Sequence, residues 1–421
     1  MLREDAPGPI MGAPEGWPRW AVLLPHVLTA ATAVDDATAV TAPDRSVAMN
    51  CSWLLDRAAT FLQVRARFTD ARPLFERALA ISEAVHGPDH PEVAAYLSNL
   101  AVVLRALGDP VGARPLAERA LTISEAVHGP DHPDVAISLS NLALVLRDLG
   151  DPAGARPLAE RAVAITEAVH GPDHPDVAIS LNNLAVVLRA LGDPAGARPL
   201  AERAVAITEA VHGPDHPDVA IRLGNLALVL WALGDPAGAR PLFERALAIS
   251  EAVHGPDHPT VAIRLSNLAQ VLRDLGDPAG ARPLAERALA ISEAVHGPDH
   301  PHVAASLSNL ALVLRALGDL AGARPLFERA LAITEAVYGP DHPTVAIRLG
   351  NLAVVLRALG DPAGARPLAE RAVAITEAVH GPDHPTRLGA RRIRDTLARA
   401  SDKPENSRTT RRGTQRFRGE H

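Results

Sequence analysis

The residues best suited to chemistry are the histidines, 18 in all, most of them in one hexapeptide. His-Gly-Pro-Asp-His-Pro begins at His86, His128, His170, His212, His254, His296 and His380, and Tyr338 heads one further copy. Two imidazoles four residues apart bind zinc when they share a helix face. Gly129 and Pro130 separate His128 from His132, so the pair occupies a turn, and Asp131 is the one nearby residue that could complete a site. The expectation is therefore histidines with polar tips in water, and no metal. Serines and histidines abound, but no nonrepetitive set joins a nucleophile to a base and an orienting acid. No catalytic residue is assigned, and the chain reads as a non-enzyme without a cofactor.

A second chemistry repeats on the same beat. Asn99, Asn141, Asn183, Asn225, Asn267, Asn309 and Asn351 form one row, and Arg105, Arg147, Arg189, Arg273, Arg315 and Arg357 form another, interrupted by Trp231. Between them run Val102, Leu144, Val186, Leu228, Gln270, Leu312 and Val354. An asparagine amide offers donor and acceptor together, so it can hold a peptide backbone of any sequence. Arginine forks bind carboxylates bidentately. An extended, acidic peptide with scattered apolar residues suits this set. A purely structural role suits it too, with Asn bonding neighbouring helices and Arg pairing with residues such as Glu118. Variation concentrates near the same rows: Ser180 against Arg222, Ser140 against Asn182 and Gly224, Ala190 against Asp148 and Asp274.

The elements that position these rows follow from a period of 42 residues. Such self-similarity marks a stack of supersecondary units. Within one unit, Val135, Leu139, Leu142, Val145, Leu146 and Leu149 recur at mostly three and four, one face of a helix. Gly150 ends that helix, and Asp151-Pro152 starts the next with an N-cap residue and a proline at the first helical position. The second helix carries Ala155, Leu158, Ala162, Val163 and Ile165 to about His170. Asp131 and Asp134 suggest a weak capping box, and Pro157 is expected near the first turn. Helix pairs stacked in this way give an all-α solenoid.

Asn141-Leu142-Ala143-x-x-Leu146 followed by Ala155, Leu158 and Ala162 resembles the tetratricopeptide signature. The 42-residue length and the Gly-Pro-Asp-His-Pro link are similar to the repeats of kinesin light chains and their bacterial relatives. The resemblance implies a right-handed α-solenoid of about eight repeats over 50–385, with the first helices lining a concave groove that holds a protein or peptide partner. Acidic cargo motifs are the ligands in kinesin light chains. The first repeat is degraded, with Arg57 at the asparagine position and Ala66 at the glycine position.

The ends differ from the body. Residues 1–49 read as a linker or cap, and Trp20 to Val34, interrupted by Pro25, is too short to span a bilayer and suggests an amphipathic or buried helix. Trp17-Pro18-Arg19-Trp20 through Leu28 resembles the segment that joins the ATPase of bacterial STAND-class signalling proteins to a tetratricopeptide array. No G-x-x-x-x-G-K-[ST] is present, so the resemblance implies a sensory arm whose ATPase acts in trans or has been lost. Residues 386–400 are expected to form a capping helix and 401–421 a disordered tail; together they hold eleven basic and four acidic residues.

Composition closes other classes. One cysteine, Cys51, excludes an internal disulfide, and Lys403 as the sole lysine excludes lysine chemistry from the body. Aromatic residues at 3% and a net charge of −7 argue against a nucleic-acid partner for the body. Arginine in place of lysine and the Ala, Pro, Gly and Asp bias point to a high-GC bacterial genome and hence a cytoplasmic protein.

Overall fold

The computed structural model describes residues 2–7, 10–11, 13–38 and 44–380, and every element among them is helical. A short α1 (Leu2–Asp5) and a 3-10 turn (Pro14–Gly16) precede α2 (Trp17–Thr38). Helices then alternate in pairs: α3 (Arg45–Val64) with α4 (Phe68–His86), α5 (Pro91–Ala106) with α6 (Pro110–His128), α7 (Pro133–Asp148) with α8 (Pro152–His170), and α9 (Pro175–Ala190) with α10 (Pro194–His212). They continue as α11 (Pro217–Ala232) with α12 (Pro236–His254), α13 (Pro259–Asp274) with α14 (Pro278–His296), α15 (Pro301–Ala316) with α16 (Leu320–Tyr338), and α17 (Pro343–Ala358) with α18 (Pro362–His380). The described residues divide into two compact units, one ending at Val295 and the other beginning at His296. The anticipated capping helix and basic tail lie outside the described residues.

Local chemistry accounts for each boundary. Helix α7 ends where Gly150 turns to φ 83°, and Asp151 N–H closes the end on the Leu146 carbonyl at 2.9 Å. The Asp151 carboxylate then accepts from Gly154 N–H at 2.8 Å and caps α8, with Pro152 at its start. Pro157 lies in the second turn of α8, not the first, where its ring forgoes one backbone bond. The capping box is corrected as well. The N-cap of α7 is His132, whose Nδ1 accepts from Asp134 N–H at 3.2 Å, because Pro133 fixes the first helical position one residue later than a box on Asp131 requires. The same bond recurs at His90, His174, His216, His258, His300 and His342. In the first repeat Ala66 takes the place of glycine at φ 55°.

Each pair buries a small apolar core, for example Val177, Ala178 and Leu181 of α9 against Ala204 and Ile207 of α10. Burying one such leucine fully stabilises by about 1.5–3 kcal/mol. Neighbouring pairs are joined by a bond set that the sequence reading missed. Arg161 of α8 donates to Glu125 of α6 at 2.6 Å and to the Pro130 carbonyl at 2.7 Å, and Arg203, Arg245 and Arg287 repeat this down the first unit. Arg371 does the same with Glu335 and Pro340 in the second unit.

At the N-terminus, Trp20, Leu23 and Val27 of α2 are buried against Leu54, Ala58 and Phe61 of α3. The expectation of a buried or amphipathic helix holds for α2, since Val22 on its other side is 58% exposed. No helix of the described residues is long and apolar enough to cross a membrane.

Candidate peptide-binding face

The first helices of successive pairs touch one another, α5 with α7, α7 with α9, and α9 with α11. That places them on the inner side of the first unit, and the rows read from the sequence lie on them. All seven row asparagines are half-buried, as are Arg105, Arg147, Arg189, Trp231, Arg273 and Arg315; Arg357 is exposed.

The rows are not uniform. Two asparagines bond neighbouring helices. Asn99 Nδ2 donates to Asp56 at 2.8 Å, and Asn225 Nδ2 donates to Asn182 at 2.8 Å. Asp56 is fully buried; burial pushes its carboxyl up, opposed by the Arg57 charge and the Asn99 bond. Asn141, Asn267, Asn309 and Asn351 make no side-chain hydrogen bond among the described residues.

The arginine row is divided by two aspartates. Arg105 at 2.8 Å and Arg147 at 2.9 Å both donate to Asp148. Trp231 Nε1 at 2.9 Å and Arg273 at 2.7 Å both donate to Asp274. Glu118, considered above as a partner for this row, binds Arg114 on its own helix at 2.7 Å. Arg189 differs, because Ala190 stands where Asp148 and Asp274 stand in their units. It pairs with no carboxylate among the described residues, and burial followed by the Arg147 charge pulls its pKa down. A half-buried guanidinium that no carboxylate neutralises is a ready receptor for one.

Two further features escaped the sequence reading. Ile137, Ile179, Ile221 and Ile263 are 41–57% exposed and lie one turn before the row asparagines on the same helix face. Their four-residue offset from each Asn was the available signal. Arg222 and Arg264, at a position filled by Ser138 and Ser180 in earlier units, are only 7% and 8% exposed. Burial drives Arg264 down to about 10, and Gly224 makes room for it: a Cβ there would stand 2.1 Å from Arg264 Nη1.

Among the described residues, three histidine loops gather possible ligand atoms within 4.8 Å: His86, His90 and Glu92; His128, His132 and Asp134; His170, His174 and Asp176. In each, Nδ1 of the second histidine already accepts the helix-capping N–H, and the two rings stack at 4.2–4.4 Å. A metal on that Nδ1 would have to displace the cap.

Helix pairs with this cap chemistry and this length define a tetratricopeptide array. The chain belongs to the tetratricopeptide repeat family, which matches residues 49–126, 97–168, 134–210, 187–252, 223–294, 265–323 and 302–378. Among solved structures, nearly identical TPR-like repeats from Podosopora anserina, described as of a kinesin light chain, are 29% identical over 49% of this chain and 97% of theirs, with a TM-score of 0.42. BtubC (BKLC) from P. vanneervenii is 25% identical over 54% of this chain and 91% of its own, with a TM-score of 0.43. A Rap protein complexed with Competence and Sporulation Factor is 13% identical over 91% of this chain and 96% of its own, with a TM-score of 0.55, a likeness of fold. No curated protein matches the chain.

Proposed function

We propose that the inner face of the first unit binds an extended, acidic segment of a protein partner, and that Arg189 receives one of its carboxylates. The observation that carries this reading is that Arg189 meets no carboxylate among the described residues, whereas Arg147 and Arg273 each donate to an aspartate. Ile179 and Ile221 give apolar seats beside it, exposed where a monomeric surface would gain by hiding them. Asn183 accepts from Asn182 Nδ2 at 3.4 Å and keeps its own Nδ2 for the partner's backbone, whereas Asn99 and Asn225 donate within the protein. In the second unit, Asn309, Asn351, Arg315 and Arg357 are read separately, as rows of the same residue types.

Selection of random displayed peptides on the full chain tests it. Enriched sequences should carry Asp or Glu, and their affinity should fall as salt rises. Arg189→Glu should weaken binding by roughly ten-fold or more while leaving the helix content unchanged. Enrichment of peptides without acidic residues, or binding indifferent to Arg189→Glu, would refute the assignment.

A further inference from the structure

The N-terminal segment touches the array at a second place, far from the repeat it covers. The Trp17 ring stacks on His254 with centroids 5.3 Å apart and planes 22° from parallel. Val253 packs against the cluster of Ile10, Trp17 and Trp20, and Trp17 Nε1 is held by the Ile10 carbonyl at 3.0 Å. The end of α3 reaches the same loop, where the Arg65 charge acts on both His254 and His258. Segment 253–258, the end of α12 and the loop that leads to α13, is therefore covered by the N-terminal segment, and His258 is buried where its counterparts His132 and His174 are half-buried.

This loop has also lost the acid that the earlier loops possess. His86 meets Glu92 at 3.2 Å, His128 meets Asp134 at 3.5 Å, His170 meets Asp176 at 3.6 Å and His216 meets Asp218 at 3.8 Å. The corresponding residue here is Thr260. The charged groups around the two imidazoles are Arg65, which follows α3, and Arg264 from α13; Glu251 is committed to Arg287 of α14 at 2.6 Å, and Asp257 is exposed. His258 Nδ1 accepts from Thr260 N–H at 3.2 Å, so its neutral form carries the proton on Nε2, and a second proton must displace that cap.

We propose that residues 253–258 form an acid-released seat for the N-terminal segment: Trp17 and Ile10 rest on it while His254 and His258 are neutral, and protonation of the two rings drives them off. Release would uncover the loop. Burial first, then His254 and Arg65, hold His258 down to about 4, and the Val64 carbonyl opposes this too weakly to offset it. Burial and the Arg65 and Arg264 charges lower His254 as well. Both folded values lie below the ordinary 6.5, so closure is intact above about pH 6.5 and is lost as pH falls toward 4.

Hydrogen exchange of the full chain at about pH 7.5 and about pH 5, corrected for intrinsic rates, tests the seat. Protection at residues 10–20 and 250–260 should fall by roughly thirty-fold at the lower pH from His258 alone, taking the released ring at 6.5, while the loops of His128 and His170 keep theirs. Thr260→Asp restores the missing acid and should hold the segment down at the lower pH. Trp17→Ala should release residues 250–260 at both values, with protection of α9 showing that the array remains folded. Unchanged protection at 250–260 in the wild type on acidification, equal loss in Thr260→Asp, or no effect of Trp17→Ala would each overturn the proposal.

Discussion

Gly224 lies inside α11, where glycine costs about 1 kcal/mol relative to alanine. By helix propensity alone, Gly224→Ala stabilises. The added Cβ, however, would stand 2.1 Å from Arg264 Nη1 and 3.0 Å from its Cζ. Arg264 is 8% exposed, so its guanidinium must leave its place or the helices must part, at about 1–3 kcal/mol for overpacking. The expected net effect is a loss of about 0–2 kcal/mol, opposite in sign to propensity. Arg264→Ser restores the residue type of Ser138, Ser180 and Ser306 and removes a buried charge that no carboxylate offsets. In that background Gly224→Ala should gain about 1 kcal/mol, which leaves a coupling of about 1–3 kcal/mol between the two positions. Hydrogen exchange in α11 and α13 reads the local stability of all four proteins. Equal stabilisation by Gly224→Ala in both backgrounds would show that Arg264 does not fill the space beside Gly224.

Ala66→Gly should raise local stability in the first repeat by roughly 0.5–1 kcal/mol, since relief of left-handed strain exceeds the entropy glycine adds to the unfolded chain, and denaturation of the N-terminal repeats reads it. Leu184→Ala, at a residue 7% exposed, should cost about 2–5 kcal/mol, visible as faster exchange in α9 and its neighbours before the ends of the array respond. Zinc in stoichiometric amount should leave the melting temperature where it was, because the histidine rings are stacked and the Nδ1 of the second ring is occupied by the helix cap; a rise of several degrees reversed by a chelator would contradict this.

Much of the fold was legible because its punctuation is chemical and local. Gly150, Asp151 and Pro152 each restrict the backbone on their own account, and the structure uses them as read. The cap at His132 was missed because aspartate is the stronger N-cap residue and Asp131 stands beside it, while the decisive constraint is Pro133. The site was legible as rows of residue types but not as states. Whether Asn225 is occupied depends on Asn182 in the preceding repeat, and whether Arg189 is neutralised depends on Ala190 being no aspartate. Arg264 reads as a surface residue until Gly224, a residue in another helix, is set beside it. The contact of Trp17 with His254 joins segments that no local pattern relates.

The bonds that join one helix pair to the next also bear on how the chain can change its length. Arg203 meets Glu167 and the Pro172 carbonyl just as Arg161 meets Glu125 and that of Pro130. Removal of one whole copy by unequal recombination would bring Arg203 to Glu125 through unaltered chemistry, and insertion would do the same in reverse. The junctions are thus indifferent to the number of copies, and only the N-terminal segment counts them. One copy more before its resting place would put the loop of His212 and His216 under Trp17, together with Asp218. The number of copies would then decide whether the protein answers to acid.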